Sequence, residues 1–401
     1  MQYISTRKNA QSVGASDAIM QGLAPDGGLY IPQSFPSLAR LPYGESSSYA
    51  ELAFEVLAPF FEGDPLLPDL AEICAEAFNF PVPLHPLSSQ EMVLELFWGP
   101  TAAFKDFGAR FLASAMERIL RQRGEKLTIL VATSGDTGGA VAAAFAGKEG
   151  ITVKVLYPKG RVSARQQQQL TCWGGNIEAY EVDGSFDDCQ RMVKEAFMNE
   201  GLSMAHNLSS ANSINLGRLL PQSVYYVYAS QIFQGACSKQ PTIIIPSGNV
   251  GNATAAYWAF TMGAPIQQIA LAVNENRTIV DYLERGVYQG RSSVQTLANA
   301  MDVGDPSNME RLFALYPTLE EMRAVVAAWS VDDEAIRETI REVYEESGYI
   351  LCSHTATAER VRRDHFPNTP SIIVSTAHPA KFEETVEPLI GSSVEVPPQL
   401  A

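Results

Sequence analysis

Twice in this chain a short, largely apolar run ends in a loop of small and polar residues that opens a helix. Leu127–Ala132 leads into Thr133-Ser134-Gly135-Asp136-Thr137-Gly138 and an alanine-rich stretch. Thr242–Pro246 leads into Ser247-Gly248-Asn249-Val250-Gly251-Asn252 and a helical stretch from Ala253. Runs of this length without polar alternation fit strands covered on both faces, the usual condition of a parallel sheet. Ile151–Tyr157, Ile269–Val273 and Ser371–Thr376 are further strand candidates, and Phe111, Leu112, Ala115, Met116, Ile119 and Leu120 recur at helical spacing. The alternation predicts an α/β chain with parallel sheets clad by helices, and ligands beyond the C-terminal ends of the strands.

The first eighty residues have a different texture. Gly22-Leu23-Ala24-Pro25-Asp26-Gly27-Gly28 is a turn-rich run leading into a short apolar strand at Leu29-Tyr30-Ile31-Pro32, and helical periods follow around Tyr49–Pro59 and Pro68–Phe78. The alternate prolines of Pro81-Val82-Pro83-Leu84-His85-Pro86-Leu87 forbid helix and read as an extended linker. Gln166–Gln169 fits a helix capped by Ser163.

Charge and cysteine usage narrow the function classes. With 401 residues and a formal net charge of −16, the chain lacks the clustered basic surface that nucleic-acid backbones require. Its five cysteines are scattered without a Cys-x-x-Cys spacing, which points to a reducing compartment and to neither a disulfide framework nor a zinc site. Met1–Lys8 has no apolar leader, and no apolar run approaches membrane-spanning length. The expectation is a cytoplasmic protein with no membrane, nucleic-acid or metal partner; nothing in the sequence specifies an oligomeric state.

The chemistry concentrates in three loops and one lysine. Glycines in Ser247–Asn252 let the backbone approach an anion closely, and the helix start supplies open N–H groups and a positive dipole end. It is not the Gly-x-Gly-x-x-Gly of a dinucleotide fold. Thr133–Gly138 has the same placement and suits a carboxylate, with Asp136 either touching a cofactor or capping the helix. Asn212-Ser213-Ile214-Asn215-Leu216-Gly217-Arg218 sets amide and hydroxyl groups ahead of an arginine, a set suited to a phosphate ester, or alternatively a capped helix start with one arginine. Ahead of a strongly amphipathic helix stands Lys105, in Gly99-Pro100-Thr101-Ala102-Ala103-Phe104-Lys105-Asp106-Phe107-Gly108. An amine accompanied by a phosphate cradle is what an aldehyde cofactor needs. The turns Ser353-His354-Thr355 and Ser375-Thr376-Ala377-His378-Pro379-Ala380-Lys381-Phe382 carry histidines of the kind that are more often structural than catalytic.

In order and spacing these segments, with Gly22–Tyr30, Tyr157-Pro158-Lys159-Gly160 and His354-Thr355-Ala356, resemble the threonine synthases, pyridoxal-phosphate enzymes of the tryptophan-synthase-β (fold type II) group. The resemblance spans most of the chain. It implies two parallel-sheet α/β domains with a helical, turn-rich N-terminal extension: residues 1–80 as the N-terminal domain, and 81–401 as the cofactor-binding catalytic region, with a smaller α/β subdomain at roughly 109–208. It implies pyridoxal 5′-phosphate as cofactor and O-phosphohomoserine as substrate. Lys105 takes the place of the Schiff-base lysine with Phe104 beside it. Gly248, Asn249, Val250, Gly251 and Asn252 take that of the cofactor-phosphate loop, and Thr376 that of the hydroxyl residue facing the pyridine nitrogen. Asp136 is counted with the cofactor contacts. Ser134, Gly135 and Thr137 correspond to the substrate-carboxylate loop, and Asn212, Ser213 and Arg218 to the group holding the substrate's phosphate.

The chain departs from the family pattern at Trp98, where a histidine is usual, at Ala103, at Leu216-Gly217 and at Asp136, asparagine in some branches. The implied activity is conversion of O-phospho-L-homoserine and water to L-threonine and phosphate. A phospho-lyase releasing a keto acid from O-phosphohomoserine or phosphothreonine, a relative with another leaving group, and a non-catalytic amino-acid or anion binder are the competing readings.

Overall fold

A computed structural model describes residues 1–38 and 48–401; the stretch 39–47 of the expected N-terminal domain lies outside the described residues. The described chain forms two compact units. One gathers 1–36, 48–80 and 105–221; the other gathers 37–38, 81–104 and 222–401.

The first unit is built on a four-stranded, wholly parallel sheet in the order Ile177–Val182, Ile151–Pro158, Leu127–Ala132, Leu208–Ser210. Every residue of Leu127–Ala132 is buried, as its largely apolar character, broken only by Thr128, predicts. The helix Lys105–Arg123 buries Phe107, Phe111, Leu112, Ala115, Met116, Ile119 and Leu120. It begins at Lys105 itself, which the sequence places just ahead of it. Phe78 stacks on Phe111 with ring centroids 6.2 Å apart, and Phe80 meets Phe107 edge-on at 4.8 Å, so the helices of the N-terminal eighty residues share this core. Residues 3–5 and 30–32 add an antiparallel pair.

The second unit has a six-stranded sheet in the order Val326–Ser330, Gln268–Val273, Thr242–Pro246, Ser371–Ser375, Glu91–Glu95, Leu84–Ser88. Five strands are parallel and the last pairs antiparallel with Glu91–Glu95. This corrects the linker expected at Pro81–Leu87. The segment is extended, as its prolines demand, but it is an edge strand with a register shift between Pro86 and Ser88. Edges and irregularities are where a sheet tolerates a residue lacking N–H. The helix Ser353–His365 packs on this sheet and Asp333–Ser347 packs on that helix, with Ile336, Ile340, Val343, Ala356 and Val361 all buried.

Candidate active site

In the second unit the strand Thr242–Pro246 ends at Ser247, and the helix Gly251–Met262 starts four residues later. Between them the backbone is forced into an unusual path. Val250 lies at φ 63°, a left-handed conformation that a β-branched residue adopts only when its surroundings impose it. The restraints are visible. The Val250 carbonyl accepts from the N–H and the hydroxyl of Thr254 at 2.8 and 2.9 Å. Asn249 Oδ1 accepts from the N–H of Ser307 at 2.6 Å, and its carbonyl accepts from Asn308 Nδ2 at 3.1 Å. Arg311, fully buried, donates to Asn308 Oδ1 at 2.7 Å and lies over the ring of Trp258; burial pushes its pKa down to about 9. Gly248 is required for space, because a Cβ there would stand 2.7 Å from Met301 Cα.

No side chain caps this helix, so the N–H groups of its first turn remain open at its positive end. Asn252 adds a donor of its own. Its Oδ1 accepts from the hydroxyls of Tyr225 and Tyr226 at 2.5 and 2.7 Å, while Nδ2 is buried without a partner among the described residues. A buried donor left in that state costs about 1–3 kcal/mol. The loop therefore offers backbone and side-chain donors with no compensating acceptor among the described residues, an arrangement suited to a phosphate.

Thr376 follows the strand Ser371–Ser375 in the same unit and is buried. Residues 101–104 are stitched to it and to the turn beyond. The Phe104 N–H donates to the Thr376 carbonyl at 2.8 Å, the His378 N–H to the Ala102 carbonyl at 3.0 Å, and Lys381 Nζ to the Thr101 carbonyl at 2.9 Å. Lys381 is buried and spent on this clamp. Burial pushes the His378 pKa down to about 4, and its Nδ1 accepts from the Ala380 N–H at 3.2 Å. His354 Nε2 accepts from the Ala300 N–H at 3.1 Å. Both histidines thus brace backbone. Trp98 donates from its indole to Glu95 at 2.8 Å.

In the first unit Lys105 opens the helix Lys105–Arg123 and is half-buried. One turn on, Gly108 is pressed against Arg218: a Cβ there would come within 2.5 Å of the Arg218 carbonyl oxygen. This brings the segment of Lys105 beside the Asn212–Arg218 group. Arg218 is 1% exposed and donates to the Ala211 carbonyl at 2.6 Å. Asn212 Oδ1 is buried with no partner among the described residues, and Ser213 is half-buried. Asn215 is the capping residue. Its Oδ1 accepts from the Gly217 N–H at 2.9 Å, and its Nδ2 donates to the carbonyls of Ile19 and Ser210 at 2.9 and 3.0 Å. Gly217 leaves room for Leu112, whose Cδ1 would stand 2.8 Å from an added Cβ.

The loop after Leu127–Ala132 also lies in this unit. Ser134 and Thr137 are half-buried and Asp136 is buried. Gly135 takes φ 132°, a conformation reserved for glycine. Thr133 Oγ1 accepts from the N–H groups of Gly135 and Gly138 at 2.9 and 2.8 Å. Gln166, Tyr225, Tyr226, Asn308 and Arg311 support the two loops, and sequence reading assigns none of them. Only Gln166 carried a local signal, standing three residues after the cap Ser163.

Comparison with known proteins agrees along the whole chain. Residues 2–78 match the family model for the threonine synthase N terminus, 82–374 that for pyridoxal-phosphate dependent enzymes, and 354–401 that for the threonine synthase C-terminal region. The threonine synthase of Escherichia coli K12 is 39% identical over 406 residues, covering 100% of this chain and 94% of the relative. A pyridoxal-phosphate-bound threonine synthase structure from Brucella melitensis superposes with TM-score 0.92 at 37% identity, covering 100% of this chain and 93% of that one. The yeast threonine synthase structure gives 0.89 at 30% identity, covering 100% and 93%. These similarities establish that the chain belongs to the threonine synthase family of pyridoxal-phosphate-dependent enzymes.

Proposed function

We propose that this chain converts O-phospho-L-homoserine and water to L-threonine and inorganic phosphate. The observation that carries the reading is the presence of two separate anion-suited groups besides the carboxylate loop. The donors of Gly248–Asn252 serve the cofactor's phosphate, which leaves Arg218, with Asn212 and Ser213, for a phosphate that belongs to the substrate. Ser134 and Thr137 receive the substrate carboxylate through hydroxyl and N–H donors, and Gly135, whose own N–H is held by Thr133 Oγ1, shapes the turn that carries them. Phe104, beside Lys105, and Asp136 would contact the cofactor, and Thr376 would offer its hydroxyl to the pyridine nitrogen.

When bound, pyridoxal phosphate supplies an aldehyde that captures an amine and a ring system that accepts the electron pair left by proton removal. Lys105 is the amine that holds it at rest. With the substrate amine in its place, Lys105 Nζ would be free to take the proton from Cα and, once it has passed that proton on, one from Cβ. The Cγ–O bond breaks and phosphate leaves into the donors of Arg218, Asn212 and Ser213. A proton delivered to Cγ completes the methyl group, water adds its oxygen to Cβ, and a proton returned to Cα completes threonine. A neutral hydroxyl at Thr376 does not favour a protonated ring nitrogen as a carboxylate would.

We place the boundary between the N-terminal domain and the cofactor-binding region at residues 80 and 81, with a smaller subdomain at roughly 109–208. No helix among the described residues is long and apolar enough to cross a membrane. The absence of a disulfide among the described residues supports a cytoplasmic location, and the acidic charge supports small molecules rather than nucleic acid as partners.

Incubation of the purified holoenzyme with O-phospho-L-homoserine tests the reading, following threonine, phosphate and keto acid together. Threonine and phosphate in equal amounts are expected. Phosphate accompanied by keto acid and ammonia would replace this reading with the phospho-lyase.

A further inference from the structure

Asp136 poses a problem for the substrate-carboxylate loop: an ionised side chain between Ser134 and Thr137 would repel the group that loop is read to receive. The structure supplies an answer in Gln166. This side chain is 1% exposed, and its amide orientation is dictated from outside the loop. Ser163 caps the helix Ala164–Thr171 with a reciprocal pair: Ser163 Oγ accepts from the Gln166 N–H at 3.2 Å, and Gln166 Oε1 accepts from the Ser163 N–H at 3.0 Å. With Oε1 committed to an N–H, the amide must present its NH₂ on the other side, where Nε2 donates to Asp136 Oδ1 at 3.1 Å. The amide also lies flat against the turn. A Cβ on Gly135 would come within 2.5 Å of Gln166 Cδ, so the glycine and the glutamine fit only each other.

We propose that Gln166 is a positioning residue for amino-acid recognition. It fixes the Gly135–Asp136 turn and engages the Asp136 carboxylate, so that a substrate carboxylate meets hydroxyl and N–H donors rather than a mobile negative charge. This rests on the reading of Ser134, Gly135 and Thr137 as the carboxylate loop. A helix cap is thereby coupled to substrate selection: the residue that supplies an acceptor to the Ser163 N–H also decides which face of an amide reaches Asp136.

The test compares two amines on the holoenzyme, L-threonine and its decarboxylated counterpart 1-amino-2-propanol, with dissociation constants read from the change in cofactor absorbance. Gln166→Glu replaces the donor by a second carboxylate. It should weaken threonine about tenfold, or about 1.4 kcal/mol, while 1-amino-2-propanol changes less than about twofold. Adding Asp136→Asn restores a donor–acceptor pair and should return the ratio of the two affinities most of the way. Gln166→Met, which keeps the volume without adding charge, should shift the ratio in the same direction by a smaller factor, and serves if the glutamate variant does not fold. Equal weakening of both amines, or no recovery in the double variant, overturns the proposal. Ser134→Ala and Thr137→Val separate the two levels. If they shift the ratio and the Gln166 variants do not, the carboxylate loop stands and the role of Gln166 falls. If none shifts it, the loop assignment falls and takes this inference with it.

Discussion

The loops after Leu127–Ala132 and after Thr242–Pro246 look alike in sequence, yet they treat their own backbone in opposite ways. Each follows a fully buried parallel strand, each turns through a positive φ, and neither helix has a side-chain cap at its first position. In the first loop Thr133 Oγ1 already occupies the N–H groups of Gly135 and Gly138. In the second the restraints fall on Asn249 and on carbonyl oxygens, from Ser307, Asn308 and Thr254, and the donors of the helix start stay open beside the unpartnered Nδ2 of Asn252. A phosphate dianion needs several converging donors, and a carboxylate can be held by fewer, with hydroxyl help. The difference shows that the chemistry of such a turn is decided by which backbone groups the protein has already satisfied, more than by the glycine content of the loop.

Substitutions can break this comparison. The largest effect short of the cofactor lysine belongs to Arg218, which lies in the unit of the first loop. Arg218→Ala should cost about 2–5 kcal/mol in kcat/KM for the phosphorylated substrate, with cofactor absorbance near normal. Loss of absorbance in step with activity would make Arg218 structural, as its bond to the Ala211 carbonyl also permits. Gly248→Ala comes next. Its methyl would meet Met301 backbone at 2.7 Å, and overpacking of this kind costs about 1–3 kcal/mol, expressed here as weaker cofactor affinity in equilibrium dialysis. Unchanged affinity would remove the cradle assignment.

Thr133→Val makes the opposite prediction for the other loop. It strips the acceptor from two N–H groups, so melting temperature should fall by an amount equivalent to about 1–3 kcal/mol, while cofactor affinity holds. If both substitutions weakened the cofactor equally, the two loops would not differ as described.

The smallest effect is on pH. Burial holds His378 neutral, with its pKa pushed down to about 4. A folded value below the ordinary imidazole value means that the native state resists protonation. Stability should therefore decline as pH falls from about 6.5 towards 4, and that part of the decline should be absent in His378→Gln. Matching acid profiles for the two proteins would contradict the sign.

The strands and loops that carry chemistry were legible because their signals are local. Leu127–Ala132 and Thr242–Pro246 are largely apolar runs without polar alternation, and the observed strands have those same limits. Ser163 three residues before Gln166 announced a capped helix, and that helix is present. Leu84–Ser88 was misjudged because proline content reports what the backbone cannot do, whereas edge pairing with Glu91–Glu95 depends on a partner strand. The supporting shell was illegible for a related reason. Asn252 is oriented by tyrosines about 26 residues earlier, and Asn249 by residues about 58 later; Lys381 clamps Thr101 across 280 positions. No periodicity or spacing rule reaches that far, and only the folded sheet brings these groups together.

The most direct test of the whole account is to reduce the holoenzyme with borohydride, digest it and locate the cofactor by peptide mass. The account predicts a single modified peptide containing Lys105 and, in Lys105→Ala, loss of both that adduct and the visible absorption band. The cofactor found instead on Lys159 or Lys381 would contradict it, and in the case of Lys381 would also deny the clamp on Thr101.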